Sequence, residues 1–261
     1  ENSSGTYDMP DANMIGITGI ANGMLAGFFD NTVCISEPFL PHAWPIDYRL
    51  STEHKIVGIG AFAQSLAVLT TSYPYVATGT DPMSMTMEKL PLQQACVSKR
   101  SIVEMGDGVV YASPDGLFSI GSGGISNITQ NLFTREEWQS YNPSSILGCQ
   151  YDGRYFAFYD TGTVKGCLLF SFNGVEPTFC TLDIHATAAY NDPLNDTLFL
   201  VMNGNIVKFN YGSPLTYKWR SKNFLLIQPQ NLGAAQVLSK SYPITFRLYC
   251  DGSLKHTQTV A

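Results

Sequence analysis

Five short apolar runs, rich in β-branched and aromatic residues, recur along the chain at nearly even intervals. They are Leu25 to Phe29, Leu66 to Thr70, Val109 to Ser113, Tyr155 to Tyr159 and Thr197 to Val201. Their first residues are 41, 43, 46 and 42 positions apart. Runs of this length and composition, bounded by turn-forming residues, predict β-strands. The even spacing indicates one supersecondary unit that is repeated five times.

Each of these runs has a strand-like neighbour on both sides. The following runs are Thr32 to Ser36, Tyr75 to Gly79, Gly116 to Ile120, Gly166 to Phe170 and Ile206 to Phe209. The preceding runs are Ile15 to Ile17, Ile56 to Ile59, Ile102 to Met105, Ile146 to Cys149 and Thr187 to Tyr190. Turn residues such as Asp30-Asn31 and Asn203-Gly204 join them. The predicted unit is therefore an antiparallel meander.

A fourth element completes the unit most clearly at Thr178 to Leu182 and Leu215 to Trp219. Four short strands with their turns need roughly 40 to 45 residues, which is the length of a propeller blade. A sheet that is apolar on both faces must be covered on both, and radial stacking does this. We therefore predict an all-β fold in which residues 13–222 form a β-propeller of about five four-stranded blades.

Two segments depart from the repeat. Thr134 and Glu137 form a capping box at the start of Thr134 to Gln139, which predicts a short helix between the third and fourth units, on an outer connection. After Trp219 the pattern changes, and Asp251-Gly252 predicts a hairpin turn after the alternating run Ile244 to Tyr249. We expect residues 223–261 to be a linker and the beginning of a β-sandwich-like module that is incomplete in this chain.

Composition narrows the class of protein. The chain is 44% hydrophobic and only 14% charged, with a net charge of −6 and a pI near 5.1. An apolar chain of this kind folds around a core. Along the sequence, Lys and Arg form no cluster larger than a pair such as Lys99-Arg100. This argues against a general nucleic-acid-binding surface. The longest apolar stretch, Ile56 to Thr70, is interrupted by Gln64 and Ser65, so we predict no transmembrane helix.

The sequence offers no constellation for catalysis or for cofactor or metal binding. Nucleophile-elbow, P-loop and zinc-protease motifs are absent from the sequence, and Ser113 to Phe118 matches only part of a sialidase Asp-box. The histidines lack metal-ligand spacing: His42, His54, His185 and His256. The cysteines occur singly, and we expect buried free thiols: Cys34, Cys96, Cys149, Cys167, Cys180 and Cys250. We predict a protein that is not an enzyme, without catalytic, cofactor-binding or metal-binding residues.

Several segments resemble a family of tailed-bacteriophage and prophage virion proteins. They include Ser36 to Pro45, Ala95 to Ser101, Tyr111 to Leu117, Phe133 to Gln139, Asn142 to Ser145, Asp183 to Tyr190 and Tyr217 to Lys222. In its architecture the chain is similar to the propeller part of the tail nozzle, or tail tubular protein B, of short-tailed phages.

The resemblance implies a mechanical function in the virion. It implies a homo-oligomeric ring of about six copies that contacts portal, adaptor and other tail proteins and is assembled in the host bacterial cytoplasm. Such a ring would form or close the DNA exit channel and let genomic DNA pass without specific binding. Two alternatives remain open: an adhesin-type propeller that binds or cleaves glycans, and an interaction scaffold outside a virion.

Overall fold

All five predicted central runs are the second strands of antiparallel sheets. The computed structural model describes residues 8–172, 177–213, 218–228, 230–239 and 241–261. The first sheet contains β1 (Ile15–Gly19), β2 (Leu25–Phe29), β3 (Thr32–Ile35) and β4 (Leu50–Ser51). The second contains β5 (Ile56–Phe62), β6 (Ser65–Thr70), β7 (Tyr75–Thr78) and β8 (Thr86–Lys89).

The next three sheets continue this order along the chain. The third contains β9 (Val103–Glu104), β10 (Gly108–Ser113), β11 (Gly116–Gly121) and β12 (Gly124–Asn127). The fourth contains β13 (Leu147–Tyr151), β14 (Arg154–Asp160), β15 (Lys165–Ser171) and β16 (Thr178–Leu182). The fifth contains β17 (Ala188–Asp192), β18 (Thr197–Met202) and β19 (Asn205–Lys208). Strands that are neighbours in sequence are hydrogen-bonded neighbours in every sheet, so each sheet is a meander.

The fourth strands were predicted less completely than the others. The fourth strand at Thr178 to Leu182 is confirmed as β16, whereas the one at Leu215 to Trp219 lies largely outside the described residues. The strands β4, β8 and β12 were not predicted, and they are short and mostly polar or only partly buried. Strands of this kind carry little of the hydrophobic alternation on which the prediction depended.

In the second, third and fourth sheets, alternate side chains of the second strand pack against different neighbouring sheets. On β6, Leu66 and Val68 join the core with the first sheet, while Ala67 and Leu69 join the core with the third. On β14, Tyr155 contributes to the core with the third sheet and Phe156 to the core with the fifth. Successive side chains of a strand point to opposite faces, so consecutive sheets stack face to face. This arrangement confirms the β-propeller, with the sheets as its blades.

Glycines on the first strands allow neighbouring blades to approach closely. A Cβ atom on Gly148 of β13 would lie 2.8 Å from Val103 Cγ2 and 2.9 Å from the Ser101 carbonyl oxygen, both in or beside the third sheet. A Cβ atom on Gly60 of β5 would lie 2.9 Å from Val109 Cγ1. Only glycine fits without moving the adjacent blade.

The predicted helical insertion is confirmed as α1 (Arg135–Ser140), between the third and fourth sheets. The Thr134 hydroxyl accepts a hydrogen bond from the Glu137 amide, and the Glu137 carboxylate accepts one from the Thr134 amide. Trp138 is fully buried, and its indole Nε1 donates to the Ser113 carbonyl at 2.8 Å. The capping box therefore starts the helix and Trp138 anchors it to the third sheet.

Two compact units divide the chain, Glu1–Tyr211 and Gly212–Ala261. The second unit contains an antiparallel hairpin of β20 (Ile244–Cys250) and β21 (Ser253–Val260). Asp251 and Gly252 have φ values of 51° and 74°, as a tight hairpin turn requires. The predicted boundary at residue 222 falls within this unit, and the sandwich-like nature of residues 223–261 stays a prediction.

Candidate interaction surfaces

The first strands of four sheets converge around a central cleft of about 440 Å³. Glu104 Oε1 of the third sheet accepts hydrogen bonds from the Ala61 amide at 2.7 Å and from Thr18 Oγ1 at 3.1 Å. Thr18 belongs to the first sheet and Ala61 to the second. One carboxylate therefore joins three blades at the centre, where it has a structural role.

The basic pair noted in the sequence contacts other blades of the same unit. The Lys99 ammonium lies 5.5 Å from the centre of the Phe28 ring, and the Arg100 guanidinium donates to the carbonyl of Thr187. These contacts link the connection before the third sheet to the first and fifth sheets. Both cations thus contribute to blade packing.

The turn from β10 to β11, which resembles part of an Asp-box, is surrounded by structural partners. Asp115 Oδ2 accepts a 2.8 Å hydrogen bond from Gln94 Nε2, and its Oδ1 lies 3.1 Å from Arg135 Nε. Ser113 Oγ donates to Gln94 Oε1 at 2.6 Å. The Asp115 carboxylate therefore holds this turn to the helix and to the preceding connection.

The His, Cys, Asp and Glu side chains that could form a metal site are dispersed over the described ranges. Within the described ranges, no three His, Cys, Asp or Glu side chains are grouped so as to hold a metal ion. His185 is half-buried, and its Nδ1 has no hydrogen-bond partner, while His42, His54 and His256 are exposed. Within the described part of the chain, no helix has the length and apolar character to cross a membrane.

All six cysteines are free thiols, but the prediction that they are buried is wrong in part. Cys34, Cys96 and Cys167 are buried, whereas Cys180 is exposed. Cys180 lies on β16, the last strand of the fourth sheet, and most of that strand is exposed. An outer strand of a blade has fewer neighbours than the strands inside it, which explains the difference.

The fifth sheet has one buried face and one exposed face that is mostly apolar and also carries Lys208. Leu198 and Leu200 of β18 are buried against the fourth sheet. Strand register places Tyr190, Phe199, Val201 and Ile206 together on the other face. Tyr190 is 64% exposed and Ile206 is 75% exposed. We call these four residues the fifth-sheet patch.

The first sheet, at the other end of the series, also exposes apolar side chains. Ile15 and Ile17 of β1 are 51% and 62% exposed. The strand is irregular there, with a bulge between Ile15 and Thr18. Exposed apolar side chains that lie together are candidates for contact with another molecule. The two ends of the blade series are therefore the candidate surfaces for assembly.

Comparisons with known proteins yield a structural likeness but no sequence match. No protein-family model and no curated protein sequence matches this chain. Among solved structures, the chain is similar to the N-terminal domain of Nup159, with 9% sequence identity and a TM-score of 0.43. The match covers 76% of this chain and 60% of the Nup159 domain, so the chain spans less than two thirds of that domain.

Proposed function

We propose that this chain is a structural, non-enzymatic component of a bacteriophage tail, a nozzle-type ring protein that forms or closes the DNA exit channel. The resemblance of segments such as Ser36 to Pro45 and Phe133 to Gln139 to virion proteins supports the phage context. The exposed fifth-sheet patch supports the proposal that copies of this chain assemble into a ring. The protein would act in the virion, after assembly in the host cytoplasm, beside portal and adaptor proteins.

The segments that resemble virion proteins contribute to the framework of the propeller. In the connection between β3 and β4, Trp44 is buried and its Nε1 donates to the Pro41 carbonyl at 2.9 Å. Before the third sheet, Ser101 is buried and its hydroxyl donates to the Ser98 carbonyl at 2.7 Å. Such contacts fix the connections between blades, which is what a rigid structural component requires.

A closed ring needs two different surfaces on each copy. Cyclic assemblies with head-to-tail contacts join one patch of a subunit to another patch of the next. The fifth-sheet patch and the exposed Ile15 and Ile17 lie at opposite ends of the blade series and are not the same surface. We therefore propose that a second copy of this chain occupies the fifth-sheet patch, with its first sheet turned towards it.

The charge of the chain fits a channel through which DNA moves. A net charge of −6 does not attract phosphates, so DNA would slide rather than bind. The adjacent cations Lys99 and Arg100 already contact Phe28 and Thr187.

The proposed contact can be tested on purified protein. Mass photometry and negative-stain microscopy of the wild type should show rings of about six copies, and Ile206→Asp should shift them to monomers, because it places a charge in the patch. Asn205→Asp is the matched control, since it adds the same charge on the adjacent, exposed position of β19. Equal assembly of Ile206→Asp and the control would contradict the proposed interface.

A further inference from the structure

A second cleft, of about 610 Å³, lies between the third and fourth sheets. Val110, Ser119 and Ser126 form one cross-strand row over β10, β11 and β12, and all three line the cleft. The preceding row consists of Gly108, Gly121 and Gly124. Most side chains in these two rows are small, so they leave a space between the blades that larger side chains would fill.

Several polar side chains that line the cleft have no hydrogen-bond partner among the described residues. Within the described part of the chain, Gln130, Asn131, Gln150, Ser119 and Ser126 make no side-chain hydrogen bond, although all five line the cleft. Amide and hydroxyl groups both donate and accept hydrogen bonds. These side chains can therefore both donate hydrogen bonds to a ligand and accept hydrogen bonds from it.

The charge of the lining selects against anions. Among the described residues that line the cleft there is no Lys, Arg or His, and Asp107 is the one carboxylate. A phosphate or carboxylate ligand would meet no cation and one negative charge. A neutral ligand suits the site.

We propose that this cleft binds a neutral oligosaccharide. The hydroxyl groups of a sugar match the amides of Asn131 and Gln150, which have no side-chain partner within residues 8–172 or the other described ranges. The apolar face of a sugar ring matches the side chains of Phe172 and Leu132, which also line the cleft. Sites for small ligands combine an apolar lining with a few polar groups in this way. Hydrolysis of a glycosidic bond ordinarily uses a pair of carboxyl groups, so Asp107 alone fits binding without cleavage.

Sugar binding at the cleft does not require the proposed ring. The cleft lies between the third and fourth sheets, whereas the assembly surfaces lie on the first and fifth. Ring formation can therefore fail while the cleft binds sugar, and the reverse can also occur.

Saturation-transfer NMR and calorimetry on the full chain test the proposal. The probes are a panel of neutral oligosaccharides of hexoses, 6-deoxyhexoses and N-acetylhexosamines, with tetragalacturonate and inorganic phosphate as anionic probes. We expect at least one neutral probe to bind. The double variant Asn131→Ala, Gln150→Ala should weaken that binding about tenfold, the effect of losing hydrogen bonds from two side chains. Gln64→Ala, an exposed amide on the β5 to β6 turn, is the matched control and should bind like the wild type.

Several outcomes would overturn the proposal. These are the absence of binding by every neutral probe, preferential binding of tetragalacturonate or phosphate, and equal affinity in the double variant and the control. Circular dichroism and thermal unfolding of each variant establish that it is folded. Ser126→Tyr provides a second, independent variant, because a large side chain at this row should fill the cleft and abolish binding.

Discussion

Tyr155 Oη, on the fourth sheet, donates a 2.7 Å hydrogen bond to the carbonyl of Ser101, in the connection that leads into the third sheet. Both residues are fully buried. Burial raises the pKa of Tyr155 well above its ordinary value, so the phenol stays protonated and remains a donor. The bond joins two blades at a point that water does not reach.

Replacing Tyr155 with Phe should therefore destabilise the propeller. The variant keeps the ring but leaves the Ser101 carbonyl without this donor, and an unsatisfied buried acceptor costs about 1–3 kcal/mol. Urea unfolding followed by near-UV circular dichroism would measure the free energy of unfolding. Tyr190→Phe, at an exposed tyrosine, should change it by less than about 0.5 kcal/mol. Equal stability of the two variants would contradict this role of the bond.

Gly148→Ala should also loosen the contact between the third and fourth sheets. The added methyl group would lie 2.5 Å from Tyr155 Oη and 2.9 Å from the Ser101 carbonyl oxygen. Overpacking of this kind costs about 1–3 kcal/mol, measurable as a lower unfolding midpoint in urea. Gly123→Ala is the control, because a Cβ atom there meets no atom within 4 Å. A midpoint for Gly148→Ala as high as that of the control would count against close blade packing at this glycine.

The blade repeat was predictable because successive side chains of a strand alternate between its two faces, which is a local property of the sequence. Leu66 to Thr70 carries apolar side chains to both faces, and a run of this kind indicates a strand covered on both sides. The candidate surfaces were not predictable in the same way. Ile206 and Leu200 are both apolar residues of the fifth sheet, and only the position of the neighbouring blade makes one exposed and the other buried. Ser126 and Gln150 meet at one cleft through contacts between sheets, which no short sequence pattern encodes.

Acid should weaken the start of α1 through Glu137. Its hydrogen bond from the Thr134 amide lowers the pKa of the Glu137 carboxyl. A lowered pKa in the folded state stabilises the protein above the unfolded value, about 4.3, and this contribution is lost as the pH falls through the lower folded value. The stability difference between the wild type and Glu137→Ala should therefore be largest above about pH 5 and should disappear in stronger acid.

Urea titrations from pH 6 to pH 2.5 would measure this difference. Glu137→Gln is the matched control, because it keeps a capping acceptor but does not titrate. Its stability should fall less than that of the wild type over the same pH interval. A pH-independent difference between the wild type and Glu137→Ala would show that the ionised carboxylate has no such effect.

Thiol labelling should distinguish Cys180 from the buried cysteines. Cys180 is exposed, whereas Cys96 is buried and Cys149 is half-buried, and desolvation raises the pKa values of both thiols to about 12. The thiolate is the reactive species, so the buried groups should react slowly. With Ellman's reagent at pH 8, Cys180→Ser should remove the fastest phase, and Cys96→Ser should leave it unchanged. A fast phase that survives in Cys180→Ser would contradict the exposure of this thiol.

The proposed place of the chain in a virion is tested most directly by electron cryomicroscopy of an intact phage particle that encodes it. We predict that the five successive blades fit density in a ring of about six copies below the portal and adaptor, with the fifth-sheet patch of one copy against the next. Density for the chain elsewhere in the particle, or its absence from purified particles, would contradict the proposed function.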